Sequence, residues 1–233
     1  MNTIIISSEN SIITDPKIMN HMHTVLKTKV GDTLQIGVQN GGLYIGLVEA
    51  ISPSSCTLKL AKSGDAQLPW FNLIVGLSRP QTMKKILEHG TTFGAKSFHF
   101  YKAELSEKSY LDSKIFVDNA ELGFLLDGLS QSGIYTHLPT LTLEKYNPAS
   151  QYSKLPDQKF ILDLETDKTF LDYKINHQSL IHLAIGPERG FTKNDIAEFH
   201  AAGFQSVKIS PAILRVEHAV YAAISQLELL SRP

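Results

Sequence analysis

Two stretches near the carboxyl end carry residue types whose order suits chemistry. In the first, the apolar run Leu183-Ala184-Ile185 leads into Gly186-Pro187-Glu188-Arg189-Gly190, and Thr192 and Asp195 follow at the spacing of a capping box. Strand, glycine loop and helix in that order let a ligand approach backbone N–H groups, which suits an anion or the edge of an adenine or ribose. A tight strand-to-helix turn that binds nothing has the same local pattern. In the second stretch, Ile209-Ser210-Pro211-Ala212-Ile213-Leu214-Arg215-Val216-Glu217 enters a strongly apolar final helix. Arg215 and Glu217 lie where a strand end meets that helix, so a charged pair can face a site at a sheet's carboxyl edge. The plain alternative is a Ser-Pro helix entry with solvated charges.

Several other chemistries lack their residues. Nine histidines are present, His21 and His23 among them, but none sits in an HExxH motif or beside ligand-spaced carboxylates, so no metal is expected. A GxSxG elbow, a GxxxxGK[ST] loop and a GxGxxG after the first strand are all missing, which disfavours serine hydrolases, P-loop NTPases and standard dinucleotide enzymes. Phe98, Phe100 and Tyr101 invite a base-stacking reading. Their place within one strand favours core packing instead.

Two kinds of element have to position these residues. The first third is β-rich, with strands expected over Thr3 to Ser7, Thr33 to Val38, Leu43 to Ile51 and Cys56 to Ala61. Asn40-Gly41-Gly42 and Ser52 to Ser55 supply turns, and Asp15-Pro16 opens a helix toward Leu26. A small barrel or sandwich is expected. After a polar segment at 62–69 the rhythm becomes strand and helix in alternation. Strands are expected at Phe71 to Leu77, Ser97 to Tyr101, Lys159 to Leu164, Leu180 to Ile185 and Phe204 to Ile209. Pro80 opens a helix burying Met83, Ile86 and Leu87, and Leu122, Leu125, Leu126 and Leu129 share one face of another after an Asp118-Asn119 cap. The fold class is therefore α/β, with a largely parallel sheet, a β-rich domain ahead of it, and ligands at the sheet's carboxyl ends.

Composition narrows the partners. The 233 residues carry 22 Lys+Arg against 23 Asp+Glu, a net charge of -1, and neither side of a cut near residue 67 has a basic excess. Any nucleic-acid surface must then be local. No apolar run is long enough to span a membrane, and the start lacks a secretory pattern. A lone Cys56 excludes an internal disulfide, and a cytoplasmic location is expected.

Taken whole, the segment from Ile185 to Leu230 resembles the end of the ribosomal RNA small-subunit methyltransferase E family, with its IGPEGGF, AGF and LGPRILRxETA pattern. Earlier, HMHTVLKTKVGD is similar to that family's HxxRVLRxxVGD, SEKSY to its SERS element, and GLSQSGIYTHLP to its EQSxR segment. The resemblance covers nearly the whole chain. It implies an N-terminal PUA-like β-barrel over residues 1–67 and a C-terminal SPOUT domain over 68–233, trefoil-knotted around S-adenosyl-L-methionine in a homodimer. The implied reaction is methylation of N3 of a uridine in 16S rRNA, presented as rRNA or as the assembled 30S subunit. Leu162, Gly186, Pro187, Gly190, Ile209 and Leu214 would line the cofactor pocket. Arg215, Glu217 and Glu188 would serve catalysis, and Lys27 and Lys108 would touch RNA. The chain departs from the pattern as well. Thr24, Lys27, Lys108 and Ile134 stand where the family has Arg, and Arg189, Ser210, Ala212 and His218 replace Gly, Gly, Arg and Thr. Rival readings are a non-catalytic ribosome-assembly factor and a methyltransferase with another RNA target.

Overall fold

The structure is a computed structural model and describes residues 3–176 and 178–231. The chain divides into two compact units, Met1–Pro69 with Leu126–Leu138, and Trp70–Leu125 with Pro139–Pro233. A boundary at 67 would leave residues 126–138 in the second unit. They group with the first through main-chain bonds, Thr3 N to Ser130 O at 2.8 Å and Asn40 N to Thr136 O at 2.9 Å. Such pairing has no signature in local sequence.

The first unit contains β1 (Ile4–Ile6), β2 (Ile12–Ile13), α1 (Pro16–His21), β3 (Thr33–Val38), β4 (Leu43–Ile51) and β5 (Cys56–Gly64), with sheet order β1-β3-β4-β5-β2. β1 pairs with β3 in parallel and the other pairs are antiparallel. Asp15 Oδ1 accepts from the N–H groups of Lys17 and Ile18, and Pro16 takes the first helical position, which needs no donor. The helix then widens into a π turn over Met22–Leu26 that ends at Lys27 in left-handed conformation. Ile4, Met22, Ile36, Val48 and Leu58 form part of the core.

The second unit contains β6 (Phe71–Gly76), α2 (Pro80–Thr92), β7 (Ala95–Tyr101), β8 (Thr140–Glu144), β9 (Gln158–Leu162), β10 (Ile181–Ile185), α4 (Lys193–Ala201), β11 (Gln205–Val207) and α5 (Val216–Ser231). α3 (Glu121–Ser132) falls across the two units. Its sheet is parallel throughout, in the order β11-β9-β10-β6-β7-β8. β6 and β10 are buried along their whole length, as central strands covered on both faces must be. Phe199, Ala202 and Phe204 pack with Ile74, Ile161 and Ala184 on one face. Phe98, Phe100 and Tyr101 are fully buried and belong to the core.

One expectation for α3 is corrected. Leu125 and Leu129 are buried, but Leu122 is 38% exposed. Asp118 and Asn119 do not cap the helix; both adopt positive φ (55° and 57°), so the helix starts only at Glu121 and Leu122 lies in its first turn. Among the described residues, no helix is long and apolar enough to cross a membrane, and no group of three or more His, Cys, Asp or Glu is placed to hold a metal.

Candidate active site

Sheet register gathers the loops that the sequence singled out. Val207 is the register partner of Leu162, and Ala184 that of Ile161, so β11, β9 and β10 end at nearly the same level. Strands lie ~4.8 Å apart, so three loops leave the carboxyl edge within a strip roughly 10 Å wide. Helices α4 and α5 start from this same edge, directing the positive ends of their dipoles toward it.

The loop after β10 is a closed turn. Gly190 N donates to Pro187 O at 2.8 Å, and Gly190 takes φ +75°, a conformation that glycine adopts without strain. Thr192 then caps α4 in a reciprocal box with Asp195. The turn is tied outward by Glu188, whose Oε1 accepts from Arg79 N at 2.7 Å, just ahead of α2. Beneath it Gly76 ends β6 so close to the turn that a Cβ there would lie 2.5 Å from Pro187 Cδ and 2.8 Å from Pro187 N. Neither Arg79 nor Gly76 was singled out from sequence. Gly76 closing an apolar strand was the available signal.

The loop after β11 runs beside the loop after β9. Asp163 N donates to Val207 O at 3.0 Å and Lys208 N to Lys168 O at 2.7 Å, while Gln226 Nε2 from α5 holds Ile209 O at 2.9 Å. A cavity of about 590 Å³ lies here, walled by Thr169 to Leu171, Lys208 to Pro211 and the α5 residues Gln226, Leu229 and Leu230. Its volume suits a small organic ligand. Of the six residues expected around a cofactor, Ile209 lines this cavity. Leu162, Gly186, Pro187, Gly190 and Leu214 belong to the neighbouring strand ends and turns.

The charged residues differ in environment. Glu217 is buried, 4% exposed, and Lys85 Nζ lies 3.1 Å from its Oε1. Burial works against its ionisation, but its own backbone N–H and Lys85 together hold the carboxyl below its usual range. Arg215 is exposed, and its carbonyl accepts from Ala219 N at the start of α5. Lys27 and Lys108 are both exposed, the former in the first unit and the latter in the second. This edge can therefore hold an apolar or anionic ligand against backbone N–H groups and offer an open guanidinium to whatever docks beside it.

Comparison with known proteins places the chain in a family. Residues 66–228 match the family described as RNA methyltransferase domain, and residues 13–61 match the RNA methyltransferase PUA domain. The ribosomal RNA small subunit methyltransferase E of Treponema pallidum is 32% identical over 212 residues, covering 87% of this chain and 79% of that protein. Ribosomal RNA small subunit methyltransferase E 1 of Borreliella burgdorferi is 29% identical over 209 residues, covering 87% and 86%. Among solved structures, the ribosomal RNA small subunit methyltransferase E of Neisseria gonorrhoeae, bound to S-adenosyl methionine, aligns with a TM-score of 0.83. Identity there is 18%, with 99% of this chain and 98% of that one covered. At that identity the likeness establishes the fold.

Proposed function

Because the chain belongs to the RNA methyltransferase family and carries that family's PUA domain, we propose that it methylates N3 of a uridine in 16S rRNA, using S-adenosyl-L-methionine. The curated relatives' name, ribosomal RNA small subunit methyltransferase E, supports the target. The observation that carries the reading is the convergence of three loops on one strip of the sheet edge, with the Pro187 to Gly190 turn packed onto Gly76.

The residues present fit the cofactor. Backbone N–H groups at two helix starts, a glycine turn open to close approach, and the apolar side chains of Leu162, Ile209 and Leu214 suit a ligand with an adenine, a ribose and a carboxylate. Leu162, Gly186, Pro187, Gly190, Ile209 and Leu214 would hold it. Bound there, it supplies a methyl group activated by a sulfonium charge. This chain's own work is alignment and charge stabilisation. Arg215 would offset negative charge on the uracil oxygens as N3 gives up its proton. Glu188 or Glu217 would orient the base or take up its N3 proton; Glu188 also tethers the turn to Arg79, and Glu217 at the start of α5 pairs with Lys85.

Finer features belong to the same proposal. The lateral bonds from Asp163 to Val207 and from Lys208 to Lys168 support a trefoil-knotted path around the cofactor. Leu171, Ile213 and Leu229, exposed by 79%, 85% and 74%, support a homodimer. The substrate is rRNA or the assembled 30S subunit, met in the cytoplasm, with the first unit adding RNA contacts. Lys27 and Lys108 each meet a phosphate. Arg215→Ala tests the chemistry: cofactor binding by calorimetry stays unchanged while methyl transfer to 30S subunits falls by ~100-fold. Normal turnover removes that role. Unchanged N3-methyluridine in 16S rRNA of cells lacking the protein and any paralogue removes the target.

A further inference from the structure

The chain has four arginines, and three of them, Arg79, Arg189 and Arg215, stand at the carboxyl edge of one parallel sheet. Arg232 lies outside the described residues. The 18 lysines, by contrast, are scattered through both units. Arg79 follows β6 and Arg189 follows β10, and these two strands are hydrogen-bonded neighbours. The bond from Arg79 N to Glu188 Oε1 joins the two loops directly, so Arg79 and Arg189 are carried on one tethered assembly.

All three arginines are exposed, and among the described residues none makes an ion pair. Two carboxylates close to them in the chain have partners of their own, Glu188 accepting from the Arg79 backbone and Glu217 pairing with Lys85. Three exposed guanidinium groups thus gather at one sheet edge in a chain whose net charge is -1. With no general basic excess to attract a polyanion, binding has to come from a few placed groups. Arginine suits that task, because its planar fork meets a phosphate through two parallel hydrogen bonds, whereas lysine is a point charge.

We infer that Arg79 and Arg189 form a two-pronged clamp on backbone phosphates of the RNA strand, holding it at the sheet edge while Arg215 faces the base. This rests on the proposed RNA substrate and deepens it. It also gives a use to Arg189, which stands where the resembling family has glycine. Removing a side chain at 189 leaves the turn intact, since the turn closes through the main chain of Pro187 and Gly190.

The test measures binding of a 16S rRNA fragment at several salt concentrations for the full chain and for Arg79→Ala, Arg189→Ala, Arg79→Lys and Arg189→Lys. Cofactor calorimetry and labelled methyl transfer to 30S subunits accompany it. Each alanine variant is expected to weaken RNA binding by about tenfold, as for one charge-assisted contact, and to lower the salt slope by about 0.7. Each lysine variant keeps the slope but loses part of the affinity, and all four bind the cofactor like the parent. If alanine variants keep affinity and slope while the parent methylates RNA, the clamp is overturned and the proposed function stands. If the slope falls as expected but the parent transfers no methyl group to RNA, the clamp stands and that function fails. Cofactor affinity falling in step with RNA affinity places both residues in the cofactor pocket and overturns the clamp. A parent that binds no RNA at any salt overturns both.

Discussion

Gly76→Ala probes the loop geometry directly. The added Cβ would sit 2.5 Å from Pro187 Cδ, about 0.9 Å short of an ordinary 3.4 Å contact, and also 3.3 Å from Ala103 Cβ. Neither obstacle is the end of a flexible side chain. Pro187 is a buried ring, and Ala103 is 1% exposed. β6 is held between β10 and β7 with all six residues buried, so the turn after β10 has to move. Overpacking of this kind costs about 1–3 kcal/mol. Part appears as lost stability, and part as a turn displaced by nearly an ångström from the position that holds the ligand. A shift of that size at a positioning element can cost ~100-fold in rate. The expected outcome is S-adenosylmethionine affinity reduced by about 10- to 100-fold by calorimetry, with a lower urea midpoint. Gly64→Ala, where a Cβ meets nothing within 4 Å, is the control. Wild-type cofactor affinity in a folded Gly76→Ala protein would refute the claim that this turn shapes the pocket.

Two further predictions concern stability. Gly123→Ala, in the first turn of α3 and open to added volume, should raise the unfolding free energy by about 0.4–1 kcal/mol, and an unchanged or lower urea midpoint would contradict the helix there. His182 is 2% exposed and bonded to Asn72 and Asp157; burial lowers its pKa from the ordinary 6.5 against the pull of Asp157. The unfolded chain then binds the proton more readily, so this contribution is complete above pH ~6.5 and is lost as pH falls below it. In His182→Asn the decline in urea midpoint between pH 7.5 and 5.5 should be shallower than in the parent, and parallel declines would exclude His182 as the cause.

Much of the fold was legible because it rests on local signals. β3 and β4 match their apolar runs residue for residue, and the Thr192–Asp195 box and the Asp15-Pro16 cap mark helix starts that the structure places there. What escaped reading depends on distant partners. β8 is an edge strand of only five residues, and although Thr140 to Glu144 alternate polar and apolar, its pairing with β7 is a tertiary fact. The polar row Lys159, His182, Asn72 and Ser97 crosses four strands by register, a pairing that no single strand's sequence shows. Residues 126–138 group with the first unit through main-chain bonds that no side-chain pattern announces.

The candidate site divides along the same line. The turn from Gly186 to Gly190 declared itself, because glycine and proline restrict the backbone locally. Its supports did not. Gly76 lies 110 residues before Gly186 and matters only because β6 and β10 are neighbours, and Lys85 matters only because α2 lies against α5. Charge shows the point most clearly. A sum over the chain found no excess of basic residues, whereas the sheet order brings Arg79, Arg189 and Arg215 to one edge, where Glu217 is paired with Lys85. A polyanion responds to potential at the surface it meets, which falls off over ~8–10 Å at ordinary salt, so the arrangement along that edge decides binding and the chain total does not.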